Sequence, residues 1–289
     1  MKYARLLTAL YFMPWAIRPD VHRMLSRKLD EHMAKLSALP SRADLEVGDP
    51  DDDDDQGEAF CHNRYETGMG VMMIPVSGVI GKHLSLIEML CGGYDLDWLS
   101  ASLDDAMEDD SIHTIVINFD KPGGTTTGLR EVSEKIRTLS ESKTTIAYTE
   151  NQCCSAGYYL AAACGEIVAA PSATVGCIGT FIAAIDSSRA WENEGLKLKL
   201  FRDGKLKAIG LEGKEWTPDE DAFLQGIVDK VSGQFKGFVR AQRPSVSDET
   251  MQGQWFDGED GLALGLVDDN APDLQSVITA AVAAGRLID

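Results

Sequence analysis

Between Glu150 and Cys164 the chain reads ENQCCSAGYYLAAAC, with one serine, Ser155, set between two thiols and a run of small residues. The β-rich TTIAYT (144–149) before it and the small residues after it predict a strand, a tight turn and a helix that opens at Ser155. A serine at that place can act as an acyl-transfer nucleophile, because the first amides of a helix favour developing negative charge. The same small residues also suit close packing at a helix entrance, so a second group has to decide. Cys153 and Cys154 are weaker nucleophiles on paper, because a reactive thiolate needs an activating cation or histidine. All five histidines (His22, His32, His62, His83 and His113) precede Ser155, and none stands in a local pair with it.

Acyl transfer also needs donors for an oxyanion. The turn KPGGTT (121–126) follows the apolar strand HTIVINF (113–119), and Gly123 and Gly124 let backbone N–H groups face a substrate. The amide of Ala156 is the second candidate donor. With no histidine available, a lysine kept neutral by burial can serve as the base. LKLKLF (196–201) predicts a strand leading into RDGKLKAIG, which carries Lys205 and Lys207. These two share a face of an extended chain, so parity does not choose between them, and an ordinary exposed lysine remains open for each.

The elements that must position these groups come from the hydropathy pattern. Residues 71–80 and 113–119 read as strands, 95–109 and 127–140 as amphipathic helices, and EIVAA (166–170) as a further strand. That alternation predicts a layered α/β fold with parallel pairing. After Pro218, Phe223, Ile227, Val231, Phe235 and Val239 recur every four residues and predict one long amphipathic helix. Near the N-terminus MPWAIRPDVHRMLSRKLDEHMAKL predicts a helical arm over 1–44; a secretion signal is the lesser reading, since Pro14 interrupts the apolar run and no A-x-A site follows. LEVGDPDDDDDQGE begins an acidic linker over 45–67 that repels itself and misses the calcium-loop spacing, and the catalytic body runs 68–289.

With 289 residues and 44% hydrophobic content, the chain can bury a full core. A formal net charge of −19 opposes phosphate backbones, so no nucleic-acid partner is expected. Beyond the N-terminal run, no stretch reaches the roughly 18 apolar residues of a membrane span. Six cysteines without a CxxC pair fit no zinc template, so neither metal nor cofactor is expected, and reduced thiols point to a cytoplasmic location.

Five segments, PVSGVI, NFDKPGG, CCSAGYYLAAACGEIVAAPSATVGCIGT, FRDGKLKAIG and WFDGEDGLALGLVD, stand in the order and spacing of the signal peptide peptidase A type serine peptidases. The chain resembles that family from about Gly68 to Asp268. Within the family it is similar to the capsid maturation proteases of lambda-like phages, through CSAG and the N-terminal arm. The resemblance implies the Clp-protease/crotonase fold of repeated ββα units with an N-terminal helical arm, and a ring-like homo-oligomer. It implies Ser155 as nucleophile, Lys207 as general base, and Gly123 and Ala156 as oxyanion donors. Where the family has a serine that supports the lysine, this chain has Cys177, a weaker hydrogen-bond partner. The implied function is a serine endopeptidase acting on phage scaffold, portal or coat proteins in the host cytoplasm or the procapsid. The alternatives are a cellular protease of the same family, a crotonase-like acyl-CoA enzyme and a non-catalytic shell component.

Overall fold

The computed structural model describes residues 14–27, 65–66, 69–84, 88–89 and 92–285. The acidic run 45–58 lies outside the described residues, as do Cys61 and Cys91. In chain order the first elements are β1 (Trp15–Ile17), a helical segment α1 (19–27), β2 (Tyr65–Glu66), β3 (Val71–Ser77), β4 (Val79–Gly81), β5 (Gly93–Asp95) and α2 (Leu96–Glu108). Then come β6 (Thr114–Asp120), β7 (Gly123–Thr125), α3 (Leu129–Ser140), β8 (Thr144–Thr149), β9 (Gln152–Cys154), α4 (Ala156–Ala161), β10 (Glu166–Ala169) and β11 (Thr174–Gly176). The last are α5 (Ser188–Asn193), α6 (Pro218–Gln242), β12 (Trp255–Phe256), α7 (Gly258–Ala263), β13 (Asp269–Asn270) and α8 (Leu274–Gly285).

The expected ββα repeat is present. The first strand of each unit joins one six-stranded sheet in the order β13-β10-β8-β6-β3-β2, parallel except for the edge strand β2. The second strands fall into two smaller sheets, β1-β7-β4-β5 and β12-β11-β9. Each unit therefore ends its first strand at one edge of the large sheet and turns its second strand into another layer, where the candidate site residues sit. β6 explains the arrangement: Thr114 to Ile117 are buried in succession, as a strand covered on both faces requires. α2 lays Leu96, Leu99, Leu103 and Ala106 against that core, and α3 adds Val132, Ile136 and Leu139. Each such large side chain contributes about 1.5–3 kcal/mol by leaving water. The run expected as one strand over 71–80 divides at Gly78, whose φ of 94° turns the chain where a Cβ would lie 2.2 Å from the Gly92 carbonyl oxygen.

One expectation needs correction. LKLKLF (196–201) forms no strand, because no ladder partner lies beside it among the described residues, and Leu196, Leu200 and Phe201 are exposed, Phe201 at 92%. The long helix exists, capped by a reciprocal Thr217–Glu220 box, but its apolar stripe is covered only at the C-terminal end. Phe235 and Val239 are buried, Ile227 and Val231 are half-buried, and Phe223 is exposed. Residues 182 to about 230 thus form a lobe with several exposed apolar side chains, Ile185, Leu196, Phe201 and Phe223 among them. The N-terminal arm, by contrast, is partly woven into the body: β1 pairs with β7, and Trp15, Ala16 and Ile17 are buried.

Candidate active site

Ser155 is positioned by main-chain bonds on both sides of β9. Lys121 N–H donates to the Gln152 carbonyl at 2.7 Å, and Cys154 N–H donates to the Lys121 carbonyl at 2.9 Å. On the other side β9 runs parallel to β11, and Ser155 N–H donates to the Gly176 carbonyl at 2.7 Å. The chain then turns sharply into α4, and Ser155 takes φ 55° and ψ −113°. A non-glycine residue held in that region costs about 1–3 kcal/mol, a strain common where geometry serves function. The Ser155 side chain is almost fully buried, and its hydroxyl donates a long 3.5 Å hydrogen bond to the Gly179 carbonyl.

The first helical bond of α4 runs from Tyr159 N–H to the Ser155 carbonyl at 2.8 Å. The amide of Ala156 therefore has no preceding turn to bond and stands beside the nucleophile. Gly123 lies on β7, with φ 121°, and is tied to Ser155 through the Lys121–Cys153 bridge two residues away. A Cβ at Gly123 would lie 2.2 Å from the Ala16 carbonyl oxygen, so only glycine lets main chain pass here. Cys177 follows β11 with φ 53°, and its N–H donates to the Gln254 carbonyl at 2.8 Å.

Burial pushes the thiols away from nucleophilic form. It raises Cys154 to about 12 and Cys177 to about 11, and lifts Cys153 well above the usual thiol range. All three stay protonated at neutral pH, which leaves Ser155 as the group that a base can activate.

The structure brings Ser155, Ala156, Gly123 and Cys177 together; it does not bring Lys207 to them. Lys207 is exposed, and its carbonyl accepts from Arg202 Nη1 at 2.9 Å, while the same guanidinium reaches Glu220 Oε1 at 3.3 Å. Glu220 is fully buried at the start of α6. Although burial would raise its carboxyl, hydrogen bonds from Lys214 and Thr217 hold it down to about 2. Eight residues further along α6, about 12 Å at the helical rise, the Val228 carbonyl accepts from Thr180 Oγ1, next to Gly179. Among the described residues no hydrogen bond joins Lys207 to Ser155 or Cys177. Lys205 is the poorer base, since its ammonium pairs with Asp219 at 2.8 Å and that hydrogen bond raises its pKa.

One residue escaped the sequence reading. Lys121 is completely buried, its Nζ has no hydrogen-bond partner, and it lies 3.9 Å from the centroid of the Tyr94 ring. Burial drives its pKa well below the ordinary lysine value, more than neighbouring Asp120 and Cys153 restore it. Its Cβ packs under the nucleophile helix, where a Cβ at Gly157 would lie 2.6 Å away. Parity carried the signal: Phe119 and Lys121 are two apart on an extended chain and share the inward face.

Among the described residues there is no group of three or more metal-ligating side chains and no helix long and apolar enough to cross a membrane.

The model of peptidase family S49 matches residues 137–285, just over half of the chain, a span that takes in Ser155, Cys177 and Lys207. The chain belongs to peptidase family S49. It is 24% identical over 255 residues to the capsid assembly protease C of Escherichia phage lambda, covering 87% of this chain and 57% of that one. It is 25% identical over 223 residues to the head-tail preconnector protein GP5 of Enterobacteria phage P21, covering 75% of this chain and 44% of the other. The chain thus spans about half the length of these curated relatives. A solved enoyl-CoA hydratase from Shewanella pealeana aligns at a TM-score of 0.44 and 12% identity, over 78% of this chain and 75% of that one, too distant a likeness to bear on chemistry.

Proposed function

We propose that this S49 chain is a serine endopeptidase with a Ser155–Lys207 dyad, and that the dyad forms between copies of the chain. The observation that carries the first part is the strained, buried turn at Ser155, beside the Ala156 amide and close to Gly123. In this reading Ser155 Oγ attacks a peptide carbonyl while the neutral amine of Lys207 takes its proton. The N–H groups of Gly123 and Ala156 hold the oxyanion, and the protonated lysine then returns its proton to the leaving amine. Cys177 stands beside the nucleophile as a weak partner for that amine. An acyl-CoA enzyme of crotonase type would use the oxyanion donors alone and has no need of a strained serine.

The second part rests on the lobe. Lys207 is exposed and no described hydrogen bond joins it to its own Ser155, and Phe201, Ile185, Leu196 and Phe223 of the same lobe are exposed. A homo-oligomer would cover this apolar side and carry Lys207 to a neighbour's Ser155. The names of the lambda and P21 relatives support capsid assembly as the setting. The substrates would then be scaffold, portal or coat segments, met in the host cytoplasm or the procapsid. The residues 1–44 would form an arm, 45–67 a linker and 68–289 the peptidase domain. Labelling by a fluorophosphonate tests the nucleophile: a single adduct on Ser155, lost in Ser155→Ala, is expected, and labelling that survives Ser155→Ala would reject it.

A further inference from the structure

Beside the strand that leads to Ser155 runs a short segment from the N-terminal part of the same chain. β1 runs antiparallel to β7, with Ile17 opposite Gly123, Ala16 opposite Gly124 and Trp15 opposite Thr125. On its other edge Trp15 N–H donates to the Phe181 carbonyl at 2.9 Å, and Phe181 N–H donates to the Trp15 carbonyl at 3.0 Å. Phe181 stands two residues after Gly179, whose carbonyl takes the Ser155 hydroxyl. The segment is therefore held between the strand that carries one candidate oxyanion amide and the segment that touches the nucleophile. Main-chain pairing on both edges is how a sheet receives an extended peptide with little regard to its sequence.

Side chains close the strap. The His22 ring packs edge-on against Trp15 and Phe181, at centroid distances of 5.5 and 5.1 Å. Arg18 N–H donates to the Pro122 carbonyl at 3.0 Å. The Arg18 guanidinium reaches Gln152 Oε1 at 3.4 Å and lies 5.4 Å over the Trp255 ring. It thereby spans β9 and β12, the strands next to Ser155 and Cys177, while its Nε and Nη2 pair with Asp20 at 3.2 and 3.0 Å and hold the side chain in place.

We infer that Trp15–Arg18 is an intramolecular occupant of the substrate cleft, which keeps Ser155 latent until a substrate displaces it. The inference rests on the Ser155 reading above and names the first ligand of that same site. A tethered segment acts at an effective concentration in the millimolar range, so a free peptide of similar affinity competes poorly against it.

The test uses the full chain and a tripeptidyl diphenyl phosphonate, a probe that needs the cleft as well as the serine. Trp15→Ala removes the buried anchor, and its Ser155 is expected to be phosphonylated at least tenfold faster than that of wild type. A synthetic peptide of residues 12–20 should slow the variant back toward the wild-type rate. Hydrogen exchange on wild type gives a reading that does not depend on how the variant folds: amides of 15–18 should lose protection once Ser155 carries the probe. Equal rates in both chains, or protection at 15–18 that persists in the labelled protein, would make β1 a fixed structural strand and overturn the inference while leaving the serine reading intact. Failure of both chains to label at Ser155 would overturn the serine reading and the inference with it.

Discussion

The proposed nucleophile, Ser155, and the proposed base, Lys207, sit in regions built on opposite principles. Around Ser155 every layer is closed: β9 is bonded on both sides, all six residues of α4 are buried, and Gly157 leaves no room for a methyl group over Lys121. Around Lys207 the chain is a run of turns, with Lys207 N–H donating to the Gly204 carbonyl at 3.0 Å, held by the Arg202 and Lys214 contacts to Glu220, and Leu196, Leu200 and Phe201 just before it are exposed. The first region is closed by its own neighbours; the second leaves large apolar side chains exposed, the ground for the proposal that another copy covers them.

The largest effect expected is on the dyad itself. Ser155→Ala and Lys207→Ala should each lower peptide hydrolysis by about a thousandfold or more, and the double variant should be no worse than either single one, since the two groups act as a unit. Full activity in Lys207→Ala with loss in Lys205→Ala would move the base to the other lysine.

Next comes the open lobe. Phe201→Asp combined with Phe223→Asp changes two exposed side chains, so the thermal midpoint of the isolated chain should barely move. Sedimentation should show the assembly lost, and Ser155 labelling should fall with it. Labelling that persists in a monomeric variant would place the whole site within one chain.

In the closed region the sharpest test is Lys121→Met. Burial holds the Lys121 amine well below the ordinary lysine value in the fold, so over the interval between the folded and unfolded values folding releases a proton. Its contribution makes stability fall as the pH drops from the ordinary lysine range toward the depressed folded value. Lys121→Met removes that slope and the unpartnered buried nitrogen together, and should stabilise the chain at pH 7 by about 1–3 kcal/mol in denaturant melts. A variant less stable than wild type would mean that the amine has a partner the cation–π contact does not account for.

The smallest effect belongs to Cys177→Ser. A hydroxyl is a better partner for a neutral amine than a thiol by about 1 kcal/mol, so activity should rise several-fold at most. An unchanged rate would detach position 177 from the base.

These two regions were not equally legible in the sequence. β6 and β8 announce themselves as runs rich in β-branched and aromatic residues, and the strand–turn–helix around Ser155 follows from local pattern alone, because burial there is satisfied by neighbours in the same fold. LKLKLF carries an equally clear alternation, yet alternation specifies a face and not a partner, and no strand lies beside it among the described residues. The stripe from Phe223 to Val239 gave the helix its length and period correctly, but periodicity does not say what covers each turn. β1 is three residues long next to Pro14, too short for any period to register, so the pairing of Trp15–Ile17 with the glycine strand emerged only from the structure.

The central claim, that the nucleophile and base of one site come from two copies, is tested most directly by mixing the two inactive chains. Ser155→Ala and Lys207→Ala are combined, allowed to exchange subunits and treated with a fluorophosphonate, and intact mass identifies the labelled chain. The account predicts that the Lys207→Ala chain, inert alone, acquires the adduct on Ser155 once the Ser155→Ala chain supplies its lysine. If exchange is verified and the mixture remains unlabelled at every ratio, the dyad does not form between copies, and the division of labour between the closed region and the open lobe is contradicted.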